Sequence, residues 1–314
     1  MEQALPYISF RYVTHSLVTL LTGVVDYAGL FPPANLELET ALRNHANYLR
    51  SPESWMLGGF VLPVKKFPDA AANFPALGGS QLCIAALGPK TENAAQFIKA
   101  LTAATNAIRK FGTSNAISAS VEQIEMELPA SAGASLVETN KALAGLEVPI
   151  FWEAAVDEAE RMIEFIAERR RTGAGRFGFK LRTGGVIASA FPSSVQIART
   201  LVAAARSQVP IKFTAGLHHP IRKFDTSVQT KMHGFLNVLG AGVLAAEHGW
   251  NQQQTAAMLE DEDSTSFAFD DRAFSWREWK VTTERIKAHR AFVTSFGSCS
   301  FDEPRDDLRA LQLL

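Results

Sequence analysis

The chain has 314 residues, of which 47% are hydrophobic, 20% charged and 10% aromatic, so it can bury the core of one large domain or of two ordinary ones. Its 31 Lys and Arg residues nearly balance its 32 Asp and Glu residues, giving a formal net charge of −1. Nucleic-acid-binding proteins and proteins attached to anionic membranes need a basic surface. The sequence therefore predicts neither a nucleic-acid nor a membrane partner. The expected partner is a small molecule, which the cationic strand ends described below predict to be anionic, and homo-oligomerisation stays open.

The two cysteines favour a reducing cytoplasm, because they are few and far apart in the chain. Cys83 lies in an apolar run and is predicted to be buried. Cys299 lies in a turn of small residues, where a catalytic thiol would need an exposed, electropositive environment. The apolar segment Leu17–Val25 is too short to cross a membrane and lacks the cleavage site of a secretory signal. We predict that it is the first strand, after a short lead-in over residues 1–15.

Strand and helix patterns then alternate along the chain. Further strands are predicted at Trp55–Leu62, Gln81–Leu87, within Ala116–Leu128, and at Val148–Glu153, Phe177–Leu181, Ile211–Thr214 and Phe235–Leu239. The helices predicted between and after them are Leu36–Leu49, Asp69–Phe74, Asn93–Lys110, Ser135–Leu143, Asp157–Arg171, Val195–Arg206 and Val243–Glu247.

Eight such alternations predict an α/β fold, a single (β/α)8 TIM-like barrel with a C-terminal helical tail. A doubly wound open sheet is the alternative, because barrel closure is not visible in a sequence. Residues 1–249 would form the barrel, and residues 250–314 a helix and loop packed on it in the same domain. In this tail we predict helices at Gln252–Leu259 and Phe274–Phe292. A loop is predicted over residues 295–307, and the tail either covers the barrel mouth as a lid or only completes the fold.

Charged side chains close the strands in the second half of the chain, in the units RFGFKLRTGG and VPIKFTAGLHHP. Lys180 and Arg182 share one face of their strand, as do Lys212 and Thr214. At one barrel mouth, crowding of three cations would lower the pKa of at least one lysine, which is the condition for an amine to form a Schiff base. The simpler alternative is an anion site that binds a carboxylate or phosphate.

Acidic residues end other strands. Glu125 and Glu127 alternate with apolar residues, so both carboxylates are expected to point to the mouth, unless this is an edge strand with exposed acids. Glu153 ends the predicted fifth strand, and Asp26 and Tyr27 follow the first.

Two segments, FGFKLRTGG and IKFTAGLHHPIR, resemble the lysine-bearing strands of deoxyribose-phosphate aldolase and related class I aldolases. The resemblance implies a Schiff base on Lys180, with Lys212 as the neighbour that lowers its pKa. It also implies that the Gly184-Gly185 and Ala215-Gly216 turns hold a phosphate. Arg182 stands where those enzymes have a small hydroxyl residue, the His218-His219 pair has no counterpart, and no aspartate takes the proton-shuttle position. The segments DYAGLFPPA, TAGLHHP and HGFLNVL also resemble a family of uncharacterised bacterial proteins, which adds no expectation about function.

Three histidines support a different mechanism. His218, His219 and His233 flank the last predicted strands, and three imidazoles with a carboxylate can bind zinc or iron. However, no HxH or HExxH spacing occurs and adjacent histidines diverge, which favours one histidine as an acid or base. Asn237 would either orient a substrate oxygen or satisfy buried backbone.

The sequence therefore predicts an enzyme for a small carbonyl compound that carries a carboxylate or phosphate, with Schiff-base lyase chemistry at Lys180 and no cofactor. The alternatives are a divalent-metal-dependent lyase or hydrolase that uses the histidines, and a non-catalytic barrel that binds small anions. The predicted catalytic residues are Lys180, Lys212, Glu153, Glu127 and His218. The predicted substrate-binding residues are Arg182, Thr214, Gly184, Gly185, Gly216, His219, His233, Asn237, Asp26 and Tyr27.

Overall fold

The computed structural model describes residues 13–129, 139–143, 145–173 and 175–314. Most of the predicted lead-in, residues 1–12, and residues 135–138 of the predicted helix Ser135–Leu143 lie outside this part of the chain. The described strands are, in chain order, β1 (Val25–Tyr27), β2 (Leu57–Pro63), β3 (Leu82–Leu87), β4 (Ala119–Glu127), β5 (Ile150–Glu153), β6 (Phe177–Arg182), β7 (Ile211–Thr214), β8 (Lys223–Asp225), β9 (Thr230–Met232), β10 (Phe267–Phe269), β11 (Ala273–Trp276), β12 (Trp279–Thr282) and β13 (Val293–Ser298).

The described α-helices lie between and after these strands. They are α1 (His15–Leu21), α2 (Leu38–Tyr48), α3 (Phe67–Ala72), α4 (Ala94–Asn115), α5 (Thr139–Leu143), α6 (Ala159–Arg171), α7 (Ser194–Ser207), α8 (Phe235–His248), α9 (Gln252–Leu259), α10 (Thr283–His289) and α11 (Asp302–Ala310). None of the helices in the described residues has the length and apolar character needed to span a lipid bilayer.

Strands β1 to β7 and β13 form a closed parallel barrel, in which β13 lies between β7 and β1. The predicted (β/α)8 TIM barrel is thus confirmed. Outside the barrel, β8 and β9 form a hairpin, and β10, β11 and β12 form a small antiparallel sheet.

Alternation along each strand separates the core from the barrel interior. On β6, the buried rings of Phe177 and Phe179 belong to the apolar core, and the ring of Phe177 packs on Trp152. The interior side of the same strand carries Gly178 and Lys180. A Cβ at Gly178 would lie 2.6 Å from the Phe151 ring, so the absence of a side chain there lets that ring fill the barrel.

The predicted first strand, Leu17–Val25, is wrong for most of its length. Its apolar residues Leu17, Leu20 and Leu21 are buried on one face of α1, and the strand starts only at Val25. Leucines three and four positions apart are the pattern of an amphipathic helix, which the apolar run obscured.

The predicted eighth strand, Phe235–Leu239, is also wrong, because these residues begin helix α8. Every residue from Phe235 to Ala245 is buried, and all of them except Asn237 are apolar or glycine. This part of the helix therefore has no polar face and no helical periodicity in its sequence. The eighth barrel strand is β13, whose residues from Ser295 onward lie in the segment predicted to be a loop. Its sequence VTSFGS contains only Val293 and Phe296 as large apolar residues.

The predicted helix Phe274–Phe292 is largely a hairpin. Trp276 and Trp279 face each other across the two-residue turn between β11 and β12. Their spacing of three therefore comes from the turn, although it imitates a helical repeat. Only α10 is helical in this segment. The closed barrel thus extends beyond residue 249, because the predicted tail supplies its last strand.

Candidate active site

Five ionisable side chains from five strands meet inside the barrel. Asp26 (β1), Glu125 (β4), Glu153 (β5), Lys180 (β6) and Lys212 (β7) are each between 1% and 6% exposed. We call these five residues the ionic network. Ions this deeply buried are tolerated only when they are paired.

Each lysine of the network contacts two carboxylates. The Nζ atom of Lys180 lies 2.7 Å from Oε2 of Glu125 and 2.9 Å from Oε2 of Glu153. The Nζ atom of Lys212 donates to Oδ2 of Asp26 at 2.8 Å and to Oε1 of Glu125. Glu125 therefore bridges the two lysines, which are register partners on adjacent strands.

Neutral groups and an arginine complete the network. Asp26 accepts hydrogen bonds from the backbone N–H of Gly59 at 2.7 Å, from Nε2 of Gln123 at 2.9 Å and from Oγ of Ser295 at 2.7 Å. Arg182, whose side chain is 51% exposed, reaches Oε1 of Glu153 through Nε at 3.0 Å and Nη2 at 2.9 Å. With Arg182 included, three cations face three carboxylates.

The electrostatics contradict the prediction of a lowered lysine pKa. Burial alone would lower the pKa of Lys180, but the charges of Glu125 and Glu153 outweigh burial and raise it. The pKa of Lys212 is likewise raised, by Asp26 and Glu125 against burial. The sequence argument counted the cations and omitted the carboxylates that separate them, so both resting amines are ammonium groups.

The carboxylates shift in the opposite direction. Burial acts to raise the pKa of Glu125, yet the neighbouring Lys180 and Lys212 lower it to about 2. The pKa of Glu153 is also lowered, by Lys180 and then Arg182 against burial. Glu125 and Glu153 are therefore ionised near neutral pH.

A cavity of about 480 Å³ opens above the network at the carboxyl ends of the strands. Glu125, Glu153 and Lys180 line it, whereas Lys212 and Asp26 do not. Its margin includes the exposed residues Val186 and Ile187. Of the two buried lysines, Lys180 is therefore the one that a molecule in the cavity can reach.

One side of the cavity consists of the turns after β6 and β7, which contain Gly184, Gly185 and Gly216. The backbone N–H groups of these three glycines donate to no acceptor within the described ranges. The turns also approach closely, since a Cβ on Gly216 would lie 2.8 Å from Cα of Gly184. Free N–H groups beside a cavity are suited to bind an anion.

Three other predicted residues also line this cavity. Thr214 lies at the end of β7, and Glu127 follows Glu125 on β4 and pairs with Lys90 at 2.8 Å. Arg182 completes this set. The predicted direction of Glu125 and Glu127 is confirmed, because Ile124 and Met126 are buried in the apolar core.

The histidines do not converge. His218 lines the cavity and its Nδ1 contacts Oε2 of Glu303 at 2.8 Å. His219 instead contacts Asp307 through Nδ1 at 2.6 Å and Asp225 through Nε2 at 3.3 Å. Over the part of the chain that is described, no three His, Cys, Asp or Glu side chains are grouped as metal ligands.

His233 and Asn237 have structural contacts and do not line the cavity. His233 contacts the carbonyl of Pro192 at 2.8 Å, and burial together with Arg222 lowers its pKa to about 4. The Asn237 amide donates to the carbonyls of Met258 at 2.7 Å and Asp261 at 2.8 Å. Since Asn237 lies on a core helix and not on a strand, its amide satisfies the backbone.

Tyr27 also lies away from the cavity. Its buried ring packs edge-on against Tyr48 and Phe60, because the residue after Asp26 points to the opposite side of β1.

The cysteines differ from expectation in part. Cys83 is exposed, which corrects the prediction of a buried thiol. Cys299 lines the cavity, but burial raises its pKa, so it lacks the thiolate character of a nucleophile.

The sequence analysis did not predict four residues that contact the site: Gln123, Ser295, Glu303 and Lys90. Gln123 could have been found, because it precedes Glu125 by two residues on the same strand face. Ser295 and Glu303 lie in the segment predicted to be a loop, so no sequence signal placed them.

No protein-family model matches the chain, and no curated protein matches it.

Proposed function

We propose that the protein is a lyase that forms or breaks a carbon–carbon bond through a Schiff base between Lys180 and a small carbonyl compound bearing an anionic group. The observation that carries this proposal is the position of Lys180. Its Nζ is at a cavity, within hydrogen-bond distance of the two carboxylates of Glu125 and Glu153. Each can accept the proton that the amine must lose before it attacks a carbonyl.

Deprotonation of Lys180 needs a trigger, because its neighbours raise its pKa. Arg182 supplies one, since it is half exposed at the cavity and holds Glu153. An anionic group of the substrate competes with Glu153 for Arg182. When Arg182 turns to the substrate, Glu153 loses a cation and becomes the stronger base, so it takes a proton from Lys180.

The covalent steps then balance within the pair of Lys180 and Glu153. The neutral amine attacks the carbonyl carbon, and the proton on nitrogen passes to the carbonyl oxygen, giving a carbinolamine. Protonated Glu153 donates its proton to the departing hydroxyl group, which leaves as water. The products are a cationic iminium on Lys180 and an ionised Glu153, so the charge of the pair is unchanged.

Bond cleavage needs a second base, and His218 is suited to this role. Glu303 holds Nδ1 of His218, while Nε2 has no partner in the residues described. Nε2 takes the proton of a β-hydroxyl group, the carbon–carbon bond breaks, and its electron pair neutralises the iminium as an enamine. The imidazolium returns the proton to the enamine carbon, and water releases the second product by reversing the first steps.

The resemblance to class I aldolases left the proton-shuttle position empty. Glu125 is suited to it, because its two oxygens contact Lys180 and Lys212. The three free N–H groups of the glycine turns and the guanidinium of Arg182 would hold the anionic group of the substrate.

Borohydride trapping tests this proposal. The protein is incubated with a panel of 2-oxo acids and phosphorylated aldehydes, reduced, and digested for mass spectrometry. We expect one stoichiometric adduct on Lys180, which Lys180→Met abolishes. The matched control is Lys90→Met, since Lys90 lines the same cavity but is 77% exposed, and this variant should keep the adduct. Equal labelling of Lys90 and Lys180 would contradict a dedicated Schiff-base lysine.

A second candidate is acid–base lyase or hydrolase chemistry without a covalent intermediate, favoured by the His218–Glu303 pair at the cavity. In that case no compound is trapped, while turnover is lost in His218→Gln and retained in Lys180→Met. Binding of anions without any turnover would support the non-catalytic alternative.

A further inference from the structure

A second, larger cavity lies beside the mouth, between helices α3 and α4. Its volume is about 910 Å³, within the range of about 300–1,000 Å³ that is typical of small-molecule sites. We call this cavity the α3–α4 groove.

The lining of the groove is mainly apolar. Phe67 on α3 and Phe111 on α4 contribute two rings that pack at a tilt of 40°, with centroids 4.4 Å apart. Helix α4 adds a row of alanines at helical spacing. These alanines are Ala100, Ala103, Ala104 and Ala107. Pro63, at the end of β2, and the following residue Val64 also line the groove. The groove is also lined by Lys65, Lys90 and Lys110. Its apolar part favours hydrocarbon.

The groove adjoins the mouth cavity. Phe31, Leu87, Gly88 and Lys90 line both. One molecule can therefore have a polar head at Lys180 and an apolar chain in the groove. The charged floor of the mouth and the apolar lining of the groove match the two ends of such a molecule.

We infer that the α3–α4 groove binds an extended hydrocarbon chain of the substrate, whose anionic head lies in the mouth beside Arg182. The substrate is then an amphiphile, such as a medium-chain oxo acid, instead of a small sugar phosphate. The carbonyl chemistry of the head rests on the proposed function, whereas binding of the chain does not require it.

Calorimetry with straight-chain carboxylates of four to twelve carbons tests the inference without any turnover. Burial of each methylene in an apolar site should tighten binding by about two- to fourfold, until the groove is filled. Lys180→Met should keep this dependence on chain length. Failure to trap a Schiff base and an affinity that does not depend on chain length are therefore separate results.

Two variants locate the chain. Ala107→Phe places a ring in the groove at a position that is only partly buried, and it should abolish the gain with chain length while keeping the affinity for the shortest acid. Ala95→Phe is the matched control, because Ala95 is exposed on the same helix and does not line the groove. Equal effects of these two variants, or affinities independent of chain length, would overturn the inference.

Two further variants locate the head. Arg182→Gln should weaken every chain length by the same factor, since the carboxylate lies in the mouth. Lys110→Gln removes an exposed cation that lines only the groove, and it should change little. The opposite pattern would place the head at the outer end of the groove and overturn the proposed orientation.

Discussion

Replacement of Glu125 by glutamine tests the central claim about the ionic network. With Arg182, the network contains three cations and three carboxylates and is neutral. Glu125→Gln keeps the size of the side chain but leaves one net positive charge in the barrel. Lys180 retains Glu153, and Lys212 retains Asp26, so each ammonium loses one of its two anionic partners.

The expected cost follows from burial. Removing one partner of a buried ion pair costs about 3–5 kcal/mol, which is a large share of a total stability of about 5–15 kcal/mol. For a chain of 314 residues, with an unfolding entropy of about 2.1 cal/mol/K per residue, we expect the melting temperature to fall by roughly 5–8 °C. The two lysines should also become easier to deprotonate, because the anion between them is gone.

The assay is urea and thermal unfolding followed by circular dichroism. Glu127→Gln is the matched control, since Glu127 follows two residues later on the same strand and pairs with Lys90, whose side chain is 77% exposed. An exposed pair contributes about 0.2–1 kcal/mol. If Glu125→Gln and Glu127→Gln lower the free energy of unfolding equally, the network does not stabilise the barrel as argued.

The remaining predictions concern pH and two structural positions. The pKa of Glu125 is about 2 in the folded chain against an ordinary value of 4.5, so its contribution to stability is complete above about pH 4.5 and is lost as the pH falls toward 2. The difference in unfolding free energy between the native protein and Glu125→Gln should therefore narrow over that range, and a constant difference would refute the assigned pKa. Asn237→Ala should lower the free energy of unfolding in urea by about 2–3 kcal/mol, because it leaves buried backbone groups unpaired. It should leave borohydride trapping unchanged, whereas loss of trapping would indicate that Asn237 binds substrate. Gly216→Ala should cost about 1–3 kcal/mol by the same measurement, because φ is +76° and the new Cβ would lie 2.8 Å from Cα of Gly184; a cost no greater than that of an exposed loop substitution would show that the turn has room.

Much of the barrel could be predicted from the sequence, because alternation of short apolar runs with helical patterns is a local signal. The errors concern segments whose local pattern is misleading. Helix α8 is buried on all sides and so has no polar face to mark its period. Strand β13 has small and polar residues such as Ser295 and Gly297 toward the barrel interior, so it resembles a loop.

The candidate site could likewise be predicted in part from the sequence. Strand alternation placed Glu125, Glu153, Lys180 and Lys212 in one region, since the carboxyl ends of parallel strands meet at one end of the barrel. Alternation cannot show which side chains touch. The pairing of each lysine with two carboxylates depends on distances across the barrel, and it reverses the expected direction of the lysine pKa.

Because the pKa of Lys180 is raised and not lowered, Schiff-base formation requires a nearby group that takes a proton from its ammonium. A proton that moves from Lys180 to Glu153 neutralises both groups at once, so the net charge of the buried network stays constant. In a barrel interior of low dielectric constant, such a transfer costs less than the loss of a proton to solvent, which would leave an unpaired anion behind. Within the network, Glu153 therefore accepts the proton that Lys180 must lose before Schiff-base formation, and it later returns this proton. The anionic group of the substrate determines when the transfer occurs, because Arg182 is exposed enough to exchange partners, whereas Lys180 and Lys212 of the network are buried.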